Sequence, residues 1–369
     1  MNKFICPLPW MSLSFGPNSV PRVCCHQNGA LKNSSSTSLD VARLLKHNDD
    51  IKTKILNKQI PSECIECHQL ESNGCQSPRL HYLEKFPNIN ETLIPKIEYL
   101  DITIDNRCNL ECLMCSPHYS NRLNSFFSKS LGLGNIEKWE LNFTNSEIDS
   151  LLPDLKMLTL TGGEPLLSPR AMSFLTYISE SAESSHIDLR LFSNLTFLPE
   201  NLETILNKFK TVEFILSIDS IKENYELIRY PAKWNDIDTN ITKLLTLNLP
   251  RTTLNFHVIV MASNWNYLVD LLEYFQNKKI NNNLLFPILG EIENPLYLHP
   301  TVLPKNEYQA GFDKIQDFIS HTFPQSDSQK NELHNFKNLI LKINEKDYKQ
   351  YYIEYKTYMN KIMVHRGKP

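Results

Sequence analysis

The reading turns on Leu100-Asp101-Ile102-Thr103-Ile104 and on Cys108-Asn109-Leu110-Glu111-Cys112-Leu113-Met114-Cys115 just after it. The first run is aliphatic and β-branched, which predicts a strand. The second spaces its cysteines C-x3-C-x2-C in the loop after that strand. Three thiolates this close can hold three irons of a [4Fe–4S] cube and leave the fourth iron without a protein ligand. An open position on a metal centre is where a substrate binds. A zinc site would need one more ligand, and His118, shortly after Cys115, is placed to supply it.

All nine cysteines, Cys6, Cys24, Cys25, Cys64, Cys67, Cys75, Cys108, Cys112 and Cys115, fall in the first third of the chain. An odd count without an export signal argues against a disulfide framework and for metal binding or redox chemistry. The start, Met1 to Phe15, is broken by Pro7 and Pro9 and has no apolar core of a signal peptide. No apolar run approaches the roughly 18 residues of a membrane span. A cytoplasmic protein with no membrane partner is expected. Lys plus Arg is 38 and Asp plus Glu is 41, a net charge of −3, which excludes a strongly basic nucleic-acid binder. With 369 residues, 41% of them hydrophobic, the chain is long enough for two or three domains.

Three regions are expected. Residues 1–90 read as irregular, rich in Pro, Asn and Ser, with one helical pattern from Leu39 to Leu56. Such a segment buries little apolar area and needs a staple, such as a metal site. In residues 91–299 short strands alternate with helices. Strands are predicted at Leu100–Ile104, Leu155–Leu160, Ile187–Phe192, Val212–Ile218, Leu254–Val260 and Leu284–Ile288. Ser168-Pro169 reads as an N-cap and first helical position, Asn264 as an N-cap before Trp265–Phe275, and Trp234–Leu245 has helical spacing. Repeated strand–helix units imply an α/β fold with a parallel sheet, and six of them suit a partial barrel. Residues 300–369 read as a helical extension. Leu333, Phe336, Ile340 and Ile343 mark one amphipathic helix, and Tyr348, Tyr352, Tyr355, Met359 and Ile362 another, both read as core stripes.

After the second predicted strand comes Thr161-Gly162-Gly163-Glu164-Pro165. Paired glycines let the backbone approach a ligand, and a carboxylate can accept from an ammonium. The cysteine loop after one strand and this sequence after the next resemble the radical S-adenosylmethionine (SAM) family over about residues 95–290. The resemblance implies a partial (β/α)6 TIM-type barrel in which Cys108, Cys112 and Cys115 hold the catalytic cluster. Gly162, Gly163 and Glu164 would then meet the SAM amino group, and Ser193, Asn194, Ser217 and Asp219 its ribose. Met114 stands where the family often places an aromatic residue near the adenine. Arg229 stays open between a bidentate anion contact and a solvated charge. His118 and Tyr119 are placed to line substrate space, and His257 reads as a core histidine.

The leading segment carries Cys6-Pro7-Leu8-Pro9-Trp10, then Cys24-Cys25, then Cys64-x2-Cys67. This is similar to the twitch domain, a shortened SPASM domain, here placed before the barrel rather than after it. Proteins with a leading unit of this kind are also similar downstream, at Ile228-Arg229-Tyr230-Pro231 and Trp234. The resemblance implies an auxiliary [4Fe–4S] cluster on Cys6, Cys24, Cys64 and Cys67. Spacing does not separate Cys24 from Cys25, and Cys75 is left over.

The function implied is cleavage of SAM to a 5′-deoxyadenosyl radical that abstracts hydrogen from a substrate, an oxidoreductase or isomerase type of reaction. A cytoplasmic electron donor such as flavodoxin or ferredoxin would reduce the cluster. The substrate is a peptide to be oxidised, crosslinked or epimerised, or else a small metabolite such as a sugar or cyclitol. A non-catalytic zinc-binding interaction module and an electron-transfer protein are the other classes; neither needs Gly162-Gly163-Glu164.

Overall fold

A computed structural model of the protein describes residues 5–27, 48–72, 77–87, 96–278, 287–292 and 294–367. Cys75 and the part of the predicted helix at 39–47 lie outside them. The described strands are β1 Ser12–Gly16, β2 Val20–Arg22, β3 Tyr99–Thr103, β4 Met157–Thr161, β5 Asp188–Ser193, β6 Thr211–Ser217, β7 Thr252–Val260 and β8 Ile288–Glu291. They lie in one sheet in the order β2-β1-β3-β4-β5-β6-β7-β8. β1 runs antiparallel to β2 and parallel to β3, and the β3–β4, β4–β5 and β7–β8 pairs are parallel.

Strands β3 to β7 are the first five strands predicted from sequence. The sixth was predicted at Leu284–Ile288; residues 281–286 lie outside the described set, and β8 starts at Ile288 and runs on to Glu291. The expectation of an irregular leading segment is corrected. It contributes β1 and β2 to the sheet, with helices at Asp49–Leu56, Ile65–Ser72 and Pro78–Lys85.

Local chemistry explains several boundaries. Ser168 caps the helix Pro169–Glu180 by accepting from Ala171 N at 3.1 Å, with Pro169 at the first position. Thr144 and Glu147 form a reciprocal capping box on Asn145–Leu151. Asn264 is not a side-chain cap. It accepts from Met261 N at 2.8 Å and donates to Asp219 O at 2.9 Å and Ile259 O at 2.8 Å, bracing the ends of β6 and β7. The two predicted C-terminal helices are Asp327–Asn344 and Tyr352–His365, preceded by a further helix, Lys305–Ser320, that the sequence reading did not pick out.

The chain divides into two compact units. The first comprises Met1–Asn106, Lys138–Leu191 and Thr204–Val212; the second, Arg107–Glu137, Phe192–Glu203 and Glu213–Pro369. In the first unit the two faces of the sheet differ. Leu13, Leu100, Leu158 and Leu189 stand side by side on one face, as do Phe15, Ile102, Leu160 and Leu191. All are buried, as expected for strands covered by helices. The other face is polar above Tyr99 and Met157, which join a core of Ile5, Leu8, Trp10, Val23, Ile51, Ile55 and Tyr82. In the second unit, Leu113, Leu123 and Phe126 pack with Ile228, Met261, Leu298, Tyr358 and Ile362. Among the described residues, no helix is long and apolar enough to cross a membrane.

Candidate active site

In the second unit the loop after β3 is pinned by its own backbone. Glu111 N donates to Tyr230 O at 2.6 Å and Leu113 N to Ile228 O at 2.9 Å, so the predicted Ile228–Tyr230 stretch serves as its rail. Donors face two of the sulfurs. Leu110 N lies 3.4 Å from Cys108 Sγ, Asn194 Nδ2 lies 3.8 Å from it, and Arg229 Nη1 lies 3.8 Å from Cys112 Sγ. Burial, then the charges of Cys112 and Cys108, push the Cys115 thiol well above its ordinary value. Burial also raises Cys112, and Arg229 opposes it. Buried thiolates this close repel one another unless cations sit among them.

Arg229 is buried, which removes the solvated-charge reading. Its Nε donates to Asp219 Oδ2 at 2.7 Å, and Asp219 Oδ1 accepts from Ile259 N at 2.8 Å. His257 feels both charges, and burial lowers its pKa, leaving a neutral imidazole beside the pair. It also meets Phe192 edge to face. The Ser193 hydroxyl accepts from Leu195 N at 2.9 Å. Asn194 is locked by Asn109 Oδ1 at 3.1 Å and by Thr196. Ser217, the last residue of β6, is half-buried. Met114 packs partly buried against the apolar cluster of this unit, and Tyr119 is exposed.

The sequence reading missed the residues that hold the loop from behind. Tyr358 OH donates to Leu113 O at 2.6 Å. Arg366 donates to Leu227 O at 2.7 Å and to Glu111 O, and stacks over Tyr230. The tyrosine stripe signals a buried helix face, but nothing in it says that Tyr358 grips a backbone carbonyl.

Gly162, Gly163 and Glu164 belong to the first unit, just past β4. Gly162 has φ +153°, so a side chain there is strained in conformation, and its Cβ position lies against Asp105 O at 3.4 Å. Gly163 N donates to the same carbonyl at 3.1 Å. Glu164 is buried and accepts from Leu166 N at 3.2 Å. Asp105 in turn accepts from Ser168 Oγ at 2.5 Å, tying this turn to the helix that follows.

The leading cysteines also gather in the first unit. Cys6, Cys24 and Cys64 pack against one apolar cluster. Burial, with lesser contributions from Cys64 and Cys67, pushes Cys6 up to about 12. Burial and then Cys67 push Cys64 up to about 11. Cys24 is raised by burial, then by Cys25, Cys6 and Cys64. Backbone N–H groups of Leu8, His26 and Arg79 donate to Cys6, Cys24 and Cys67. The side chain of Cys25 instead hydrogen-bonds Asp101. Burial pushes the Asp101 carboxyl up to about 6 against the pull of that bond, Ser14, Arg190 and Arg22.

Among the described residues, no three His, Cys, Asp or Glu side chains converge as ligands of a single ion would. Both thiol sets nevertheless suit an iron–sulfur cube, which spreads its sulfurs over separate irons and takes N–H donors to them.

The radical SAM superfamily model matches residues 102–275. Residues 102–275 form a radical SAM superfamily domain. The radical SAM domain carries Cys108, Cys112, Cys115 and Gly162-Gly163-Glu164, and the fold is the partial barrel of that superfamily with added C-terminal helices. The GTP 3′,8-cyclase of Helicobacter pylori (strain HPAG1) is 29% identical over 188 residues, 50% of this chain and 54% of that protein. The probable GTP 3′,8-cyclase of Methanocaldococcus jannaschii is 26% identical over 236 residues, 63% of this chain and 72% of that protein. The chain thus spans about half the length of the Helicobacter relative. Among solved structures it is similar to native anSMEcpe with bound AdoMet, with a TM-score of 0.44, 18% identity and 60% of each chain covered. It is also similar to Streptococcus suis SuiB bound to S-adenosylmethionine, with a TM-score of 0.42, 12% identity, and 76% of this chain and 60% of that one covered.

Proposed function

We propose that the protein is a radical SAM enzyme with one auxiliary [4Fe–4S] cluster, acting on a peptide by oxidation, crosslinking or epimerisation. The observation that carries this reading is the Cys108–Cys115 loop, whose sulfurs face donors from Leu110, Asn194 and Arg229. When bound, the cluster and SAM supply a 5′-deoxyadenosyl radical able to take a hydrogen atom from the substrate.

The chain's own residues do the rest. Cys108, Cys112 and Cys115 hold the catalytic cluster, and Arg229, anchored by Asp219, places positive charge beside Cys112. Gly162, Gly163 and Glu164 meet the SAM amino group, with Glu164 accepting from the ammonium. Ser193, Asn194, Ser217 and Asp219 line the ribose, and Met114 packs near the adenine. Cys6, Cys24, Cys64 and Cys67 hold the auxiliary cluster; Cys24 is favoured over Cys25 because only Cys24 shares a field with Cys6 and Cys64. Flavodoxin or ferredoxin of the cytoplasm would deliver the electron. GTP is not adopted as the substrate, because the match to the cyclases spans about half of the Helicobacter protein.

The test is anaerobic reconstitution followed by iron analysis and reduction in the presence of SAM. About eight irons, two cubes, and 5′-deoxyadenosine are expected. Bound zinc in place of iron, with intact SAM after reduction, would overturn the reading.

A further inference from the structure

Strand β5 ends at Ser193, and Asn194-Leu195-Thr196 turns the chain away from it. Leu195 is buried and holds φ at +59°, in the left-handed region that favours glycine. A leucine stays there only when its surroundings over-determine it. Ser193 Oγ accepts from Leu195 N at 2.9 Å, and Asn194 Oδ1 accepts from Thr196 N at 3.0 Å. Asn240, on the helix Trp234–Thr246, fastens the same turn by donating to Leu195 O at 2.9 Å.

The turn aims one amide. A backbone N–H cannot accept, so the Asn194 atom facing Thr196 N is the oxygen. The atom that lies 3.8 Å from Cys108 Sγ is therefore Nδ2, a donor. The same Nδ2 donates to Asn109 Oδ1 at 3.1 Å, which fixes the second amide as well. Asn109 Nδ2 donates to Thr196 Oγ1 at 2.9 Å. The Thr196 hydroxyl donates to Asn194 Oδ1 at 2.6 Å, closer than Asn109 Oδ1 at 3.2 Å. Asn109, Thr196 and Asn194 thus close a ring in which each donor feeds the next. Asn194 is 6% exposed and spends both amide protons and both oxygen lone pairs on these contacts. Beside the ribose it offers packing rather than a hydrogen bond.

Cys108 and Cys112 are served differently. Arg229 brings a full charge to Cys112, whereas Cys108 receives a neutral dipole whose direction the ring sets. Negative charge on a ligating sulfur grows on reduction, so a donor fixed at that sulfur stabilises the reduced form more than the oxidised one. We propose that Asn194 is a positioning residue that raises the reduction potential of the catalytic cluster through its N–H···S bond to Cys108, with Asn109 and Thr196 as its frame. The inference rests on the proposed radical SAM reading and deepens it by assigning what makes the three-thiol centre easier to reduce.

The experiment is a redox titration of the full-length, reconstituted protein followed by electron paramagnetic resonance. The catalytic-cluster signal is the one missing from the variant with alanine at Cys108, Cys112 and Cys115. Asn194→Leu removes the donor at similar volume and should shift the reduction equilibrium about tenfold against the reduced cluster, ~59 mV lower. Asn194→Asp keeps an acceptor for Thr196 N but puts negative charge where the donor was, and should lower the potential further. Thr196→Val opens the ring while leaving its own N–H and the Asn194 amide in place. It should lose stability to urea as Asn194→Leu does, yet move the potential much less. A merely structural role would make the potential follow the urea midpoint through all three variants. If Asn194→Leu holds no cluster, Asn194→Asp against Thr196→Val decides. An unshifted or raised potential in Asn194→Asp, or a shift in Thr196→Val as large as in the Asn194 variants, would overturn the proposal alone. An unmodified protein without the signal that the alanine variant lacks would overturn the radical SAM reading, and this inference with it.

Discussion

Cys108, Cys112 and Cys115 share one short loop, whereas Cys6, Cys24, Cys64 and Cys67 come from segments far apart in the chain. Each set has an arginine held by a carboxylate nearby. Arg229 is paired with Asp219 in the second unit, and Arg79 with Glu71 in the first. The arginines are used differently. Arg229 reaches Cys112 Sγ itself. Arg79 gives its nitrogens to Glu71 and to Ile5 O, so its side chain reaches Cys6 and Cys67 only through its field. A three-thiol set with a direct cationic donor suits a reacting centre, and a four-thiol set with three of its cysteines packed against apolar side chains suits a closed one.

The largest test removes one set at a time. Alanine at Cys108, Cys112 and Cys115 should abolish SAM cleavage and leave about half of the iron. Alanine at Cys6, Cys24, Cys64 and Cys67 should likewise leave about half. Within the first unit, Cys24→Ser should lower iron content and Cys25→Ser should not. Loss of all iron from either multiple variant would show that the two sets are one site.

The arginines come next. Arg229→Gln leaves Asp219 buried without its cation, a loss of about 3–5 kcal/mol by urea unfolding. Asp219→Asn should cost a similar amount, and the double variant less than the sum. The comparison sharpens in the electron paramagnetic resonance signal of the reduced catalytic cluster, which Arg229→Gln should alter and Arg79→Gln should not. Equal shifts in both variants would erase the distinction between contact and field.

Acid response gives a test within the second unit. At the end of β8, Glu291 is met by His299 at 2.8 Å, by Lys342 at 3.1 Å and by Lys346. Burial alone would raise its pKa, but the bonds from His299 and Lys346 and the charges of Lys342 and Lys346 outweigh it and bring it down to about 2. A carboxyl depressed in the folded state stabilises above its unfolded value near 4.5, and that stability is lost as pH falls toward about 2. The contribution is on the order of 2–3 kcal/mol. Urea midpoints taken from pH 5 down to about 2 should fall less steeply in Glu291→Gln than in the unmodified protein. Parallel curves would remove Glu291 as the source.

What could be read in advance follows the same divide between local and distributed. The cysteine loop, Ser168-Pro169 and the aliphatic strands are short-range patterns, and they are found where the sequence puts them. β1 and β2 were not read because Ser12-Leu13-Ser14-Phe15-Gly16 is short and runs into Pro17, while β2 contains Pro21, which suits a sheet edge. Their place is set by register with β3, which no local window contains. The alignment of Ser14 with Asp101 and Thr159 is invisible for the same reason, because only strand pairing brings them side by side. Asn264 has the composition of a cap, yet tertiary acceptors on Asp219 and Ile259 take its amide.

The smallest expected effect probes the grip on the Cys108–Cys115 loop, where the segment at Cys6 has Arg79 on Ile5 O instead. Tyr358→Phe keeps the ring packed against Phe126 and Tyr297 and removes only the donor to Leu113 O. The loss should be about 1 kcal/mol in urea unfolding, the usual net worth of one hydrogen bond. Arg366→Lys gives up the forked contact to Glu111 O and Leu227 O and should add a comparable amount. Because Leu113 lies between Cys112 and Cys115, either variant should also change the linewidth of the catalytic-cluster signal while leaving iron content intact. A stability loss with an unchanged spectrum would reduce Tyr358 to a packing residue. A changed spectrum would make the C-terminal helix part of what holds the three sulfurs in place.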